Sequence, residues 1–229
     1  ILRRMLAIPD EYDIVWMQGG GRHQFGLIPM NFLGTNEQAA YVNSGHWAKE
    51  ALQYATYYGK VDMIASSEED AYCYYPTIPT IHDAYSYLHL TTNNTIYGTQ
   101  INQLPSTSVP IIADMSSDIL SRSIDVSQYA MIYAAAQKNI GPAGATLVII
   151  NKAFAQNIKR PLPSIYTYQS FIKSNSVFNT APVSAIYASL LNLRYWDEIG
   201  MASIEATNDA KAAQLYTYLQ ASPHFELIP

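Results

Sequence analysis

Residues 12–22 have the sequence Tyr-Asp-Ile-Val-Trp-Met-Gln-Gly-Gly-Gly-Arg. The apolar run at residues 14–17 is short and bounded by turn residues, which is typical of a strand buried on both faces. Three glycines then break the strand, and residues 22–33 can form a helix that Pro29 would end or kink. The order strand, glycine loop and helix predicts an α/β unit.

The same alternation continues toward the C-terminus. Apolar positions spaced by three or four predict a helix over residues 45–58, and residues 182–219 are mostly helix-forming, with Gly200 as a break and residues 211–219 as a last helix. Strands separated by such helices predict a three-layer α/β/α fold with a mostly parallel sheet. Ligands of these sheets bind beyond the carboxyl ends of the strands. The predicted strands are at residues 39–42, 60–65, 85–90, 109–113, 131–135 and 145–150.

Composition restricts the class of protein. Hydrophobic residues make up 49% of the 229 residues and charged residues 14%, as in a globular chain. The net charge of −5 lacks the basic surplus of a nucleic-acid binder. The single cysteine, Cys73, and the lack of Cys/His clusters favour a reducing, cytoplasmic compartment and no bound metal. No apolar run approaches the roughly 20 residues that cross a bilayer, so we expect no membrane span.

Three features at predicted strand ends could hold a phosphorylated cofactor. A glycine loop before a helix exposes backbone N–H groups to an anion, although a plain tight turn explains the loop equally well. Asp114 ends an apolar strand and could instead be a helix cap. Lys138 follows the apolar run at residues 131–136, where apolar surroundings would favour an uncharged, nucleophilic amine, although a salt-bridged or snorkelling lysine is the commoner outcome. Together the three are the parts of a pyridoxal phosphate site.

Six segments of the chain, in this order and along nearly its whole length, resemble the phosphoserine aminotransferase family. That family belongs to the class V aminotransferases, within the fold-type-I pyridoxal phosphate enzymes, so the resemblance implies their large cofactor-binding domain. The segments are residues 18–25 (QGGGRHQF), 45–48 (GHWA), 113–117 (ADMSS), 119–122 (ILSR), 136–144 (AQKNIGPAG) and 178–182 (FNTAP).

The resemblance implies a catalytic role for Lys138 and for Asp114. Lys138 would form a Schiff base with the aldehyde of pyridoxal 5'-phosphate and move the proton between the substrate carbon and the cofactor carbon. Asp114 would keep the pyridine nitrogen protonated, because a carboxylate stabilises a neighbouring positive charge. Trp47 would stack on the ring, and Thr95 would donate a hydrogen bond to its phenolic oxygen.

The resemblance also implies how the cofactor phosphate would be held. The residues around it would be Gly21, Arg22, Ser116 and Gln137. Asn179 and Thr180 would reach the phosphate in the neighbouring subunit, which implies a homodimer with its two active sites at the interface.

The implied reaction transfers the amino group of L-glutamate to 3-phosphohydroxypyruvate, giving O-phospho-L-serine and 2-oxoglutarate by a ping-pong scheme in serine biosynthesis. Two alternatives remain: another class V enzyme, such as an alanine–glyoxylate aminotransferase or a cysteine desulfurase-like protein, and a truncated cofactor-binding domain without turnover. The family's chains are longer at both ends. We therefore expect a large domain at residues 1–220 and the start of a small domain at residues 221–229.

Overall fold

Seven strands form one sheet in the computed structural model, which describes residues 1–227. The strand order is β1-β9-β8-β7-β4-β2-β3, and only β9 runs antiparallel to its neighbours. The predicted mostly parallel α/β sheet is confirmed. The strands are β1 (Tyr12–Gln18), β2 (Gln38–Asn43), β3 (Lys60–Ser66), β4 (Tyr85–Thr91), β7 (Ile111–Asp114), β8 (Met131–Ala135) and β9 (Ala145–Asn151), and a separate small hairpin pairs β5 (Asn93–Asn94) with β6 (Thr99–Gln100).

Helices cover both faces of the sheet. Strand β8 alternates between the two cores, since Ile132 packs in one and Tyr133 in the other. Helices α2 to α5 cover the Tyr133 side, and α1 and α6 cover the Ile132 side. The predicted three layers are therefore confirmed. The helices are α1 (Leu2–Met5), α2 (Gly21–Phe32), α3 (His46–Ala55), α4 (Lys152–Ala155), α5 (Tyr168–Lys173), α6 (Val183–Ile199) and α7 (Met201–Ala221).

Three details differ from the sequence predictions. Pro29 lies inside α2 and does not end it, because the buried side chains of Ile28 and Phe32 hold the last turn against the core. The last helix begins at Met201, directly after Gly200, and not at residue 211. Strand β1 is less buried than predicted, since Val15 and Met17 on one face are buried whereas Ile14 and Trp16 on the other are half-buried.

The predicted large domain of residues 1–220 ends one residue before α7 does. Residues 228 and 229 of the expected small-domain segment lie outside the described residues. Within residues 1–227, no helix is both long and apolar enough to cross a membrane. The fold matters for function because β1, β2, β4, β7 and β8 all end at the same edge of the sheet.

Candidate active site

A cavity of about 210 Å³ opens at this carboxyl edge of the sheet. Its walls come from the segments that follow β1, β2, β4, β7 and β8. Residues predicted from the sequence form most of the lining: Gly21, Arg22, Trp47, Asp114, Ser116, Gln137 and Lys138. The structure adds Gly20, Thr91, Asn93 and Ser117, whose common signal in the sequence is a position at or just after a strand end, and Phe25 of α2.

The glycine loop turns the chain so that α2 begins at the cavity. Gly19 has φ +96°, in the left-handed region that favours glycine, and its N–H donates to the Gly144 carbonyl at 3.2 Å. The Thr146 hydroxyl donates to the Gly19 carbonyl at 3.0 Å, which ties the loop to β9. Gly20 is the N-cap and has no side chain to cap the helix. The first N–H groups of α2 are thus left to a ligand, and a helix N-terminus favours an anion.

The space beside Gly21 fits a bound group. A Cβ placed on Gly21 would lie 3.7 Å from Ser116 Oγ and 3.9 Å from Asp114 Oδ2, so the glycine leaves a cradle between these two side chains. The Thr91 hydroxyl in the same wall is buried and has no hydrogen-bond partner among residues 1–227. A buried polar atom without a partner costs free energy, and a polar ligand in the cavity would supply one. The lining therefore fits the phosphorylated cofactor that the sequence predicts.

Asp114 is the buried carboxyl group of the cavity. It ends β7, and its Oδ1 accepts a hydrogen bond from Ser116 N at 2.9 Å. Burial raises the pKa of Asp114, while hydrogen bonds from Ser116 and Tyr133 act in the opposite direction. A buried carboxylate is stable only when it is paired. The site therefore favours a ligand that brings a positive charge to this carboxyl group.

Lys138 lies opposite, in the turn after β8. Its Nζ donates to Thr95 Oγ1 at 2.9 Å, so Thr95 contacts Lys138 although it does not line the cavity. The lysine is exposed, and the apolar surroundings expected from the sequence are wrong: the apolar run before it is the buried strand β8, whereas Lys138 comes after the strand has left the core. The turn is anchored by Asn139, whose Nδ2 donates to the Ile119 carbonyl at 2.7 Å.

The hairpin that carries Thr95 is held by a second buried carboxylate. Asp118 accepts hydrogen bonds from Thr92 Oγ1 at 2.7 Å and from Gln100 Nε2 at 3.2 Å, at the two ends of the hairpin. Asn93 Nδ2 donates to Ser117 Oγ at 2.9 Å. These bonds join the segment after β4 to the segment after β7, and so they place Thr95 within reach of Lys138.

Arg22 has a partner that the sequence did not reveal. Its Nε and Nη2 donate to the two carboxylate oxygens of Glu50 at 2.9 and 3.0 Å, and its guanidinium carbon lies 5.1 Å from the centre of the Trp47 ring. The hydrogen bonds from Arg22 lower the pKa of Glu50. Glu50 lies one turn after Trp47 on α3, so the pair places the guanidinium against the indole.

Asn179 and Thr180 do not line the cavity with the other predicted residues. They lie against the end of β1, where Asn179 Nδ2 donates to Gln18 Oε1 at 3.3 Å and Gln18 Nε2 donates to the Thr180 carbonyl. Within this single chain their side chains are therefore separate from the site.

Known proteins resemble this chain in sequence and in fold. The sequence model of the family described as Aminotransferase class-V matches residues 2–229. A phosphoserine aminotransferase of Shouchella clausii is 46% identical over 227 residues, which cover 98% of this chain and 62% of the relative. The chain thus spans less than two thirds of the length of such relatives.

Two solved structures are similar to the chain. A phosphoserine aminotransferase from Bacillus circulans subsp. alkalophilus has a TM-score of 0.90 and 39% identity, covering 96% of this chain and 62% of that one. A pyridoxal-phosphate-bound phosphoserine aminotransferase from Trichomonas vaginalis has a TM-score of 0.89 and 30% identity, covering 99% of this chain and 65% of that one.

Proposed function

Because the chain belongs to the class-V aminotransferase family, we propose that the full-length protein is a transaminase that passes the amino group of L-glutamate to 3-phosphohydroxypyruvate. The products would be O-phospho-L-serine and 2-oxoglutarate. The relative from Shouchella clausii, which is 46% identical, supports this choice of substrate. The observation that carries the class of reaction is that Lys138 and Asp114 face one cavity at the carboxyl edge of the sheet.

We propose pyridoxal 5'-phosphate as the cofactor. When bound, it supplies an aldehyde that binds amines and a ring that accepts the electron pair left when the substrate Cα–H bond breaks. Asp114 holds a proton at the ring nitrogen, since a buried carboxylate without a cation is unstable. Trp47 would cover one face of the ring, and Thr95 would donate a hydrogen bond to its phenolic oxygen. Residues of the cradle and of the β8 turn bind the phosphate: Gly21, Arg22, Ser116 and Gln137.

Lys138 performs the covalent and proton-transfer steps. Its Nζ would hold the cofactor by condensing with the aldehyde, with loss of water; once the substrate amine had replaced it there, the free amine would carry the proton taken from the substrate Cα. Thr95 Oγ1 holds Nζ at 2.9 Å before these steps. Because Lys138 is exposed in this chain, the water around it must be excluded by the ligand or by parts of the protein outside residues 1–227.

The remaining proposals concern the whole protein. We propose a cytoplasmic homodimer in which Asn179 and Thr180 bind the phosphate at the neighbouring subunit's site; their separation from the cavity of their own chain supports this. Residues 1–220 would be the large domain, and residues 221–229 would begin a small one.

Borohydride reduction of the full-length protein with pyridoxal 5'-phosphate tests the site. We expect the reduced label on the peptide that carries Lys138, and no label in a Lys138→Ala protein. A label on Lys49 or Lys152 would contradict the assignment. The substrate is tested by comparing rates with phosphohydroxypyruvate and glyoxylate, and faster amination of glyoxylate would contradict the proposed reaction.

A further inference from the structure

Helix α6 packs against the loop that carries Lys138, which comprises residues 136–144 between β8 and β9. A Cβ placed on Gly141 of this loop would lie 2.6 Å from Ser189 Oγ and 3.1 Å from Ser189 Cα. Real Cβ atoms essentially never come within 3.0 Å of another heavy atom, so the helix lies against the loop where residue 141 has no side chain. All of α6 is described, and none of its residues lines the cavity or takes part in the steps proposed above.

Asn192, one turn further along α6, binds the same loop by two hydrogen bonds. Its Nδ2 donates to the Asn139 carbonyl at 2.8 Å and to the Ile140 carbonyl at 2.9 Å, and an amide nitrogen has the two hydrogens that both bonds need. Among residues 1–227, no backbone N–H donates to either carbonyl. Ile140 is 0% exposed, so water does not reach its carbonyl, and loss of Asn192 would leave a buried acceptor unpaired.

The backbone of Lys138 is therefore held on both sides. Before it, the Gln137 N–H donates to the Ala135 carbonyl at 2.8 Å. After it come the two carbonyls that Asn192 binds. The Lys138 side chain, in contrast, is exposed and donates to Thr95 Oγ1 at 2.9 Å. A lysine stem is flexible, so the positions that Nζ can reach are limited mainly by where the loop holds the Cα atom.

We propose that Asn192 is a positioning residue for Lys138. By binding the Asn139 and Ile140 carbonyls, it fixes the loop backbone so that Lys138 Nζ stays at Thr95 and faces the cavity. Reacting groups that are misplaced by about 1 Å react far more slowly, so a loop without this anchor would carry a less effective amine. What the amine reacts with rests on the proposed function, whereas the anchor is built only from residues of this chain.

Hydrogen exchange in the cofactor-free, full-length protein tests the anchor. We expect Asn192→Leu, which removes the donor at similar size, to speed exchange in residues 136–144 about tenfold, because the loop opens more easily. Exchange in β2 should stay at the native rate. Unchanged exchange in residues 136–144 would overturn the proposal, and so would an equal acceleration in β2, because Asn192 would then support the whole fold and not this loop.

Asn208→Leu is the matched control for that substitution. Asn208 lies on α7, is half-buried like Asn192, and donates from Nδ2 to the Ser121 carbonyl at 2.9 Å, away from the cavity. This variant should leave exchange in residues 136–144 unchanged. Asn192→Gln keeps the amide donor and should restore most of the native exchange. Equal acceleration in Asn192→Leu and Asn192→Gln would assign the effect to packing and contradict the proposal.

Binding of pyridoxal 5'-phosphate shows whether Asn192 acts through Lys138. The absorbance of the attached cofactor should appear about tenfold more slowly in Asn192→Leu than in the native protein. In a Lys138→Ala background the cofactor binds without attachment, and adding Asn192→Leu should leave its dissociation constant unchanged, because the residue through which Asn192 acts is gone. Weaker binding in that background would show a general structural role and overturn the proposal.

Borohydride labelling separates this inference from the proposed function. Cofactor on Lys138, with native loop exchange and a native attachment rate in Asn192→Leu, overturns the inference alone. Faster loop exchange in Asn192→Leu, in a protein whose cofactor is attached to another lysine, supports the anchor and contradicts the proposed function. Faster loop exchange and slower attachment at Lys138 support both.

Discussion

The two sides of the cavity differ in how the chain holds its reactive groups. Asp114 ends a central strand, is 6% exposed, and has fixed neighbours on β8 and in its own turn. Lys138 lies in a turn and is exposed, and within residues 1–227 its side chain makes one hydrogen bond, to Thr95. The sheet side, which carries Asp114, is therefore preorganised, at the cost of a buried carboxyl group. The turn side, which carries Lys138, is exposed and is held by fewer contacts in this chain. Substitutions on the sheet side should change both stability and activity, and those on the turn side only activity.

Lys138→Ala should have the largest effect. We expect turnover of the full-length protein to fall roughly a thousandfold or more, because one amine serves both covalent attachment and proton transfer. The unfolding free energy of the cofactor-free protein should change by less than about 0.5 kcal/mol, since the side chain is exposed. Steady-state kinetics and urea unfolding measure the two quantities.

Lys152→Ala is the matched control for that change. Lys152 is also exposed, and its Nζ donates to the Asp10 carbonyl, away from the cavity. It should leave turnover unchanged. A large loss of stability in Lys138→Ala would mean that the turn side supports the fold as much as the sheet side does, and it would contradict the proposed difference between them.

Asp114→Asn should separate activity from stability most clearly. Turnover should fall about 10²- to 10³-fold, because a neutral amide cannot hold a proton on the ring nitrogen. The cofactor-free protein should become more stable near neutral pH. The folded-state pKa of Asp114 is raised, so its favourable contribution is present below the unfolded-state pKa and lost as pH rises through the folded one. When melting temperatures are measured over a pH series, the melting temperature of the variant should rise relative to that of the native protein as pH increases.

Asp125→Asn should change the melting temperature in the opposite direction. Hydrogen bonds from Ser127 lower the pKa of Asp125, so its contribution to stability is present above the unfolded-state pKa and lost as pH falls through the folded one. This variant should therefore lose melting temperature at neutral pH and match the native protein in acid. If Asp114→Asn also lost melting temperature at neutral pH, the Asp114 carboxylate would stabilise the folded protein and would not destabilise it.

The sequence predicted the sheet side more completely than the turn side, for a physical reason. Apolar alternation reflects burial, so β8 was predicted at its observed bounds, and Asp114 followed from its place at the end of β7. The exposure of Lys138 and the partnership of Arg22 with Glu50 depend on how turns and helices pack over long separations, which no local pattern records. The roles of the site residues remain predictions.

Ser116→Ala tests a residue of the sheet side that contributes both to the stability of the fold and to the binding of the cofactor. Ser116 Oγ accepts a hydrogen bond from Ala135 N at 3.0 Å, and it also lines the cradle beside Gly21. Loss of the hydroxyl leaves a backbone N–H without its partner, which should cost about 1–3 kcal/mol of unfolding free energy, and should weaken cofactor binding about tenfold. Urea unfolding and a spectroscopic cofactor titration are the measurements.

Ser121→Ala controls for loss of a serine hydroxyl elsewhere. Its Oγ donates to the Asp118 carbonyl at 2.6 Å, and the residue does not line the cavity. We expect some loss of stability without a change in cofactor affinity. If Ser116→Ala lowered stability but left affinity intact, Ser116 would be a structural bridge between β7 and β8 and not a phosphate ligand.

Glu50→Gln should give the smallest effect and the most informative sign. Glu50 holds Arg22 against Trp47, so it competes with any phosphate for the guanidinium and adds a negative charge at the cavity mouth. Removing that charge should tighten cofactor binding about two- to fivefold, the range of an exposed ion pair, with little change in stability. Glu68→Gln is the control. It breaks the exposed ion pair between Glu68 and Lys49, which lies on α3 next to Glu50, and it should leave cofactor affinity unchanged. Weaker binding in Glu50→Gln would reverse the interpretation, because Glu50 would then be holding Arg22 in its binding position.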